Sequence, residues 1–88
     1  MHERKIAQDL VRSAGLAALE DGAARVSSIR LRVGALSRID PEALRGQVEW
    51  WSHGTIVEGA LVEVERASTD IGDRHSEDVR LVSMDVEP

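Results

Sequence analysis

The spacing of apolar residues changes character along the chain and marks out alternating helices and strands. Between Arg4 and Asp21, the residues Ile6, Leu10, Ala14 and Ala17 recur at intervals of four, four and three, which puts them on one face of an amphipathic helix. Gly22 follows at the point where a helix end favours a residue tolerant of positive φ. From Arg25 to Gly34 the period falls to two. Ile29, Leu31 and Val33 alternate with Ser28, Arg30 and Arg32, as in a strand with one buried and one wet side.

Asp40-Pro41-Glu42 is a helix start. Asp40 can cap free N–H groups, Pro41 has the φ of a first helical residue, and Glu42 suits the positive end of the dipole. Leu44, Val48 and Trp51 then predict a second helix ending near Gly54, with Gly46 inside it as a possible point of close helix–sheet approach. Ala60, Val62 and Val64 alternate with Leu61, Glu63 and Glu65 as a second strand. The stretch 67–78 is polar and aperiodic and reads as a long loop. Val79 to Val86 is a third strand, with Val82, Met84 and Val86 expected on one face and Val79 and Leu81 on the other. The order α-β-α-β-β implies an α+β, two-layer fold in which two helices cover one face of a small three-stranded sheet.

At 88 residues the chain is read as one domain, 1–88, with a thin core. Its only aromatics are Trp50 and Trp51, with no Phe or Tyr, so Val, Leu, Ile and Ala must build that core. Trp51 continues the apolar helix face, whereas Trp50 lies about 100° away and suits a partner surface or a rim position. The absence of cysteine rules out disulfides and thiolate metal sites and points to the cytoplasm. No continuous apolar run follows the first five residues, so no signal peptide is expected, and no stretch is long enough to span a membrane. A net charge of −5 argues against nucleic acid as a partner.

Templates for catalysis are missing: there is no cysteine nucleophile, no Gly-rich phosphate loop with Lys and Ser/Thr, and no nucleophile-elbow spacing. The chain is therefore not read as an enzyme. Its amino end offers different chemistry. If the chain begins at Met1, it presents an α-amine, with the His2 amide nitrogen and imidazole one residue away. These donors can close fused chelate rings in the planar nitrogen arrangement that Ni(II) and Cu(II) accept. Glu3 can add its amide or carboxylate. The same His2 is also readable as a solvated end residue. His53 reads more naturally as a helix C-terminal cap, and His75 as a solvated loop residue, than either does as a ligand.

Met1-His2-Glu3, Arg25-Val26 and Val33-Gly34-Ala35-Leu36-Ser37 carry a family likeness. So do Asp40-Pro41-Glu42-Ala43-Leu44, the segment Gly54-Thr55-Ile56-Val57-Glu58-Gly59-Ala60 and the closing Val79-Arg80-Leu81-Val82-Ser83-Met84. Together these resemble the HypA family of hydrogenase nickel-insertion proteins, over nearly all of the chain except Arg66 to Asp78. The resemblance implies a nickel site at Met1, His2 and Glu3, with Asp40 approaching the metal. It also implies delivery of Ni(II) to the large subunit of a nickel–iron hydrogenase, or to urease, alongside a GTPase maturation partner. Members of that family carry two Cys-x-x-Cys pairs, forming a zinc domain, where this chain has only the polar loop 67–78, so zinc is not expected here. Two roles remain open: a minimal nickel carrier, or a metal-free adaptor that docks on a hydrogenase or its maturation factors. An exposed sheet edge allows a homodimer in either case.

Overall fold

The computed structural model describes residues 2–67 and 78–88. Its elements run α1 (Glu3–Glu20), β1 (Arg25–Val33), α2 (Pro41–Trp51), β2 (Leu61–Arg66) and β3 (Val79–Glu87). The expected α-β-α-β-β order is met. Most of the loop expected over 67–78, with His75 in it, lies outside the described residues, as does Met1.

Strand β1 is central, in the order β2-β1-β3. It pairs parallel with β2 and antiparallel with β3. A parallel pair cannot be joined by a tight turn, and α2 is the crossover that the pairing requires. The helices cover one face of the sheet and share a core that includes Val26, Ile29, Leu31, Val33, Leu44, Val48 and Val57.

On α1 the buried face is Ala7, Val11, Ala14 and Ala18, with Ile6 and Leu10 beside it. It is rotated slightly from the expected stripe, so Ala17 points outward while Ala14 is buried. Three of these four buried residues are alanines, whose single methyl groups suit a helix packed close against its neighbours. Gly46 differs more clearly from expectation. It is exposed, and a Cβ added there would meet nothing within 4 Å, so no close approach within the chain explains it.

Two irregularities set the register of β1 against β3. Val26 faces Val86 but Ser28 faces Asp85, and Arg30 faces Ser83 but Leu31 faces Leu81. Ser27 and Val82 are thus extra residues, each opposing no partner, and each shifts the pleat by one position. The result is a ladder of apolar pairs on the helix side: Val26–Val86, Ile29–Met84, Leu31–Leu81 and Val33–Val79. The expected division of β3 into two apolar faces is therefore corrected. Val79, Leu81, Met84 and Val86 all pack against the core, and Val82 is left 43% exposed.

The opposite face is wet and laced with charge pairs. Arg30 reaches Glu63 at 3.7 Å, Arg32 reaches Glu65 at 2.9 Å, and Arg25 reaches Glu87 at 3.5 Å. Ser28 donates to the Asp85 carboxylate at 2.7 Å. Each pair is half exposed and contributes little individually, about 0–1 kcal/mol. Their arrangement explains why arginines alternate along β1: each is opposed by a carboxylate on a neighbouring strand.

Both ends of the undescribed segment are tied to the end of β1. The Ala67 N–H donates to the Val33 carbonyl at 2.9 Å, and the Gly34 N–H donates to the Asp78 carbonyl at 2.7 Å. Among the described residues no helix is long and apolar enough to cross a membrane.

Candidate metal centre

Three of the four candidate ligands belong to helix beginnings. His2 is the N-cap residue of α1, and its carbonyl accepts the first helical bond from the Ile6 N–H at 3.1 Å. Its imidazole makes no capping hydrogen bond and is exposed. Glu3 opens α1, where a carboxylate is favoured by the helix dipole. Asp40 is the N-cap of α2, accepting from the Glu42 N–H at 3.2 Å as the sequence predicts.

The fold brings Glu3 and Asp40 together across the gap between the helices. The Asp40 N–H donates to Glu3 Oε2 at 3.4 Å, a long and correspondingly weak bond. The Glu3 carboxyl titrates below the ordinary carboxylate range. Hydrogen bonding to the chain's amino group lowers it most, and the backbone N–H groups of Glu3 and Asp40 lower it further. Two helix N-termini meet here, and their partial positive charge by itself repels a cation. The carboxylates of Glu3 and Asp40 at these two helix starts offset that charge.

Among the described residues, no three His, Asp or Glu side chains are grouped closely enough to hold a metal ion. His2, Glu3 and Asp40 therefore do not make a ready cage of side chains. A metal at this end would need nitrogens of the main chain, which is the chemistry the His2 position offers.

Arg66 was not singled out by its sequence context, where it reads as the start of the polar loop. Its guanidinium donates to three carbonyls: Gly34 at 3.2 Å, Ser37 at 3.1 Å and Ile39 at 2.8 Å. It thereby clamps the whole turn that leads into Asp40. A signal for this exists in the alternation, since Val62, Val64 and Arg66 share the inward parity of β2 and Arg66 is the first of them beyond the core.

The segment Gly54 to Ala60 turns out to serve packing. Gly54 and Gly59 have φ of +80° and +83°, Val57 is fully buried, and the Ile56 carbonyl accepts from the Val26 N–H at 2.8 Å. The Thr55 hydroxyl donates to the Ser52 carbonyl and accepts from the Val57 N–H. His53 Nδ1 lies 2.9 Å from the Trp50 carbonyl, the helix-end position expected for it. Trp51 is half-buried, donates to Gln47 and lies beneath the Arg4 guanidinium at 5.5 Å. Trp50 stands out in solvent.

A family model described as "Hydrogenase/urease nickel incorporation, metallochaperone, hypA" matches residues 1–77. The chain is 40% identical over 67 residues to the hydrogenase maturation factor HypA of Nitrosospira multiformis, covering 76% of this chain and 58% of that protein. It is 43% identical over 65 residues to the HypA of Methanopyrus kandleri, covering 74% and 46%. The matches thus span about half the length of these curated relatives. In three dimensions it is similar to the solution structure of the Ni metallochaperone HypA from Helicobacter pylori. The TM-score is 0.84 at 14% identity, over 99% of this chain and 98% of that one, a likeness of fold.

Proposed function

The chain belongs to the HypA family, whose description is hydrogenase and urease nickel incorporation, and on that premise we propose that it is a cytoplasmic nickel carrier for the maturation of a nickel–iron hydrogenase. In this reading Ni(II) is cargo. The Met1 amine, the His2 amide and the His2 imidazole form the chelate, Glu3 supplies a further donor, and Asp40 contributes charge or a distant ligand. The family's GTPase and the hydrogenase large subunit are the proposed partners.

One observation carries the reading: the exposed His2 imidazole makes no capping hydrogen bond, and the Glu3 carboxylate next to it in the chain accepts from the N–H of Asp40. The site's position supports transfer, because helix beginnings on the surface leave the ion accessible to a second protein. Nitrogen-rich planar donors also select Ni(II) over harder cations such as Mg(II).

The second reading, a metal-free adaptor, draws on the lack of a closed side-chain cage among the described residues. Titration of Ni(II) into protein with a native amino terminus, followed by calorimetry and absorbance, separates the two. The carrier reading expects one ion per chain, lost in His2→Ala and in a variant extended before Met1. Binding that is absent, or equal in all three proteins, favours the adaptor.

A further inference from the structure

The far end of α2 carries a second feature that the nickel reading does not use. Gly46, Glu49, Trp50 and His53 are spaced three and four residues apart and so fall on one outward side of the helix and its continuation. With Gly59 and Ala60 they line a cavity of about 400 Å³.

Several properties of this notch have no internal explanation. Gly46 costs about 1 kcal/mol relative to alanine in a helix interior. An added Cβ there would touch nothing, so the chain's own packing does not demand glycine. Trp50 leaves 65% of its surface exposed one turn further on. Its indole is nevertheless held in place: the His53 ring stands edge-on to it at 5.6 Å and 84°, and the same ring rests on the Trp50 carbonyl. Among the described residues Glu49 makes no direct hydrogen bond or close ion pair; Arg45 bonds to Glu42 and feels Glu49 only as a weaker, more distant charge.

We propose that this notch docks an exposed arginine of a partner protein, with the guanidinium stacked on Trp50 and paired with Glu49. A flat cation gains from the face of an indole, and its fork of donors matches a carboxylate. Lysine, a compact and strongly hydrated charge, gains less from both. The open space over Gly46 lets the partner's backbone come close, which a side chain there would prevent, while Gly59 is bordered by the Arg25 guanidinium that pairs with Glu87. The net charge of −5 favours a cationic partner and disfavours nucleic acid. Asp40 and Trp50 lie at opposite ends of α2, roughly 15 Å apart at 1.5 Å per residue, so docking here leaves the proposed metal end free. The inference does not depend on nickel being bound.

The test is an NMR titration of the ¹⁵N-labelled full chain, without metal, with end-blocked tetra-arginine and, in parallel, tetra-lysine. Saturable shifts are expected at the Trp50 indole N–H and at the Gly46 and Gly59 amides, with tetra-lysine about fivefold weaker. Trp50→Leu and Glu49→Gln should each weaken tetra-arginine about fivefold or more. Gly46→Leu, which favours the helix, should block binding while leaving the spectrum of the core unchanged. Equal affinity for both peptides overturns the guanidinium assignment. Absence of saturable shifts, or shifts that persist in Trp50→Leu and Gly46→Leu, overturns the notch as a docking site.

Discussion

The Arg66 guanidinium donates to the carbonyl of Ile39, the residue immediately before Asp40, at 2.8 Å. With the Gly34 and Ser37 carbonyls also bound, one side chain at the end of β2 fixes the approach to the beginning of α2. Arg66→Ala is expected to cost about 1–2 kcal/mol, as charged donors to carbonyls typically do. In a domain of this size each kcal/mol lowers Tm by about 4–8 °C, so a thermal melt reads it easily. Arg66→Lys should recover less than half, because an ammonium cannot span three carbonyls. Full recovery by lysine would show that charge alone matters.

Asp40 has two possible duties, and they can be separated. Asp40→Ala removes the cap and should cost about 1 kcal/mol in a urea melt. Asp40→Asn keeps a cap of similar quality and should leave stability nearly unchanged. If the Asp40 carboxylate assists the metal, Ni(II) affinity should fall in the asparagine variant despite intact stability. Unchanged affinity would confine Asp40 to capping.

Alanine should act with opposite sign at two glycines that have equally open surroundings. Neither Gly22 nor Gly46 has an atom within 4 Å of an added Cβ, but Gly22 has φ of +77° and Gly46 is helical. Gly46→Ala should stabilise by about 1 kcal/mol. Gly22→Ala should destabilise by about 1–2 kcal/mol, the cost of a left-handed backbone for an L-residue. Denaturation midpoints of the two variants should move apart.

The bulge in β3 makes a further prediction against simple alternation. Val82→Ser should change stability by less than about 0.5 kcal/mol, as surface substitutions do. Met84→Ala, only two residues away, should cost about 2 kcal/mol because its side chain packs on the core. Comparable losses at both sites would place Val82 on the apolar face after all.

These cases show how far the residues speak for themselves. The cap at Asp40, the strand alternation in β1 and the turn at Gly22 are local effects of side-chain length, period and φ, and they are plain in the sequence. The bulges are not local. Val26 and Ile29 are three apart, as are Leu81 and Met84, and a strand can bury both members of each pair only if it carries an extra residue between them, Ser27 or Val82, that finds no partner on the strand it pairs with. Arg66 escaped notice for the same reason: its acceptors lie 27 to 32 residues away. At the candidate site, residue types pointed to Met1, His2 and Glu3, and the family resemblance added Asp40. Only the packing of the two helices reveals that Glu3 and the Asp40 amide meet.

The tethering of Ala67 and Asp78 to neighbouring residues of β1 bears on the history of the chain. Two chain ends held side by side form a doorway: whatever polypeptide lies between them can be lengthened, shortened or exchanged without moving a strand. Closing such a loop costs only about 0.6 kcal/mol more for each doubling of its length. A zinc-binding module and a dozen polar residues are thus nearly interchangeable to the sheet. The packing of the two helices on the sheet can outlive the gain or loss of everything hung from that doorway.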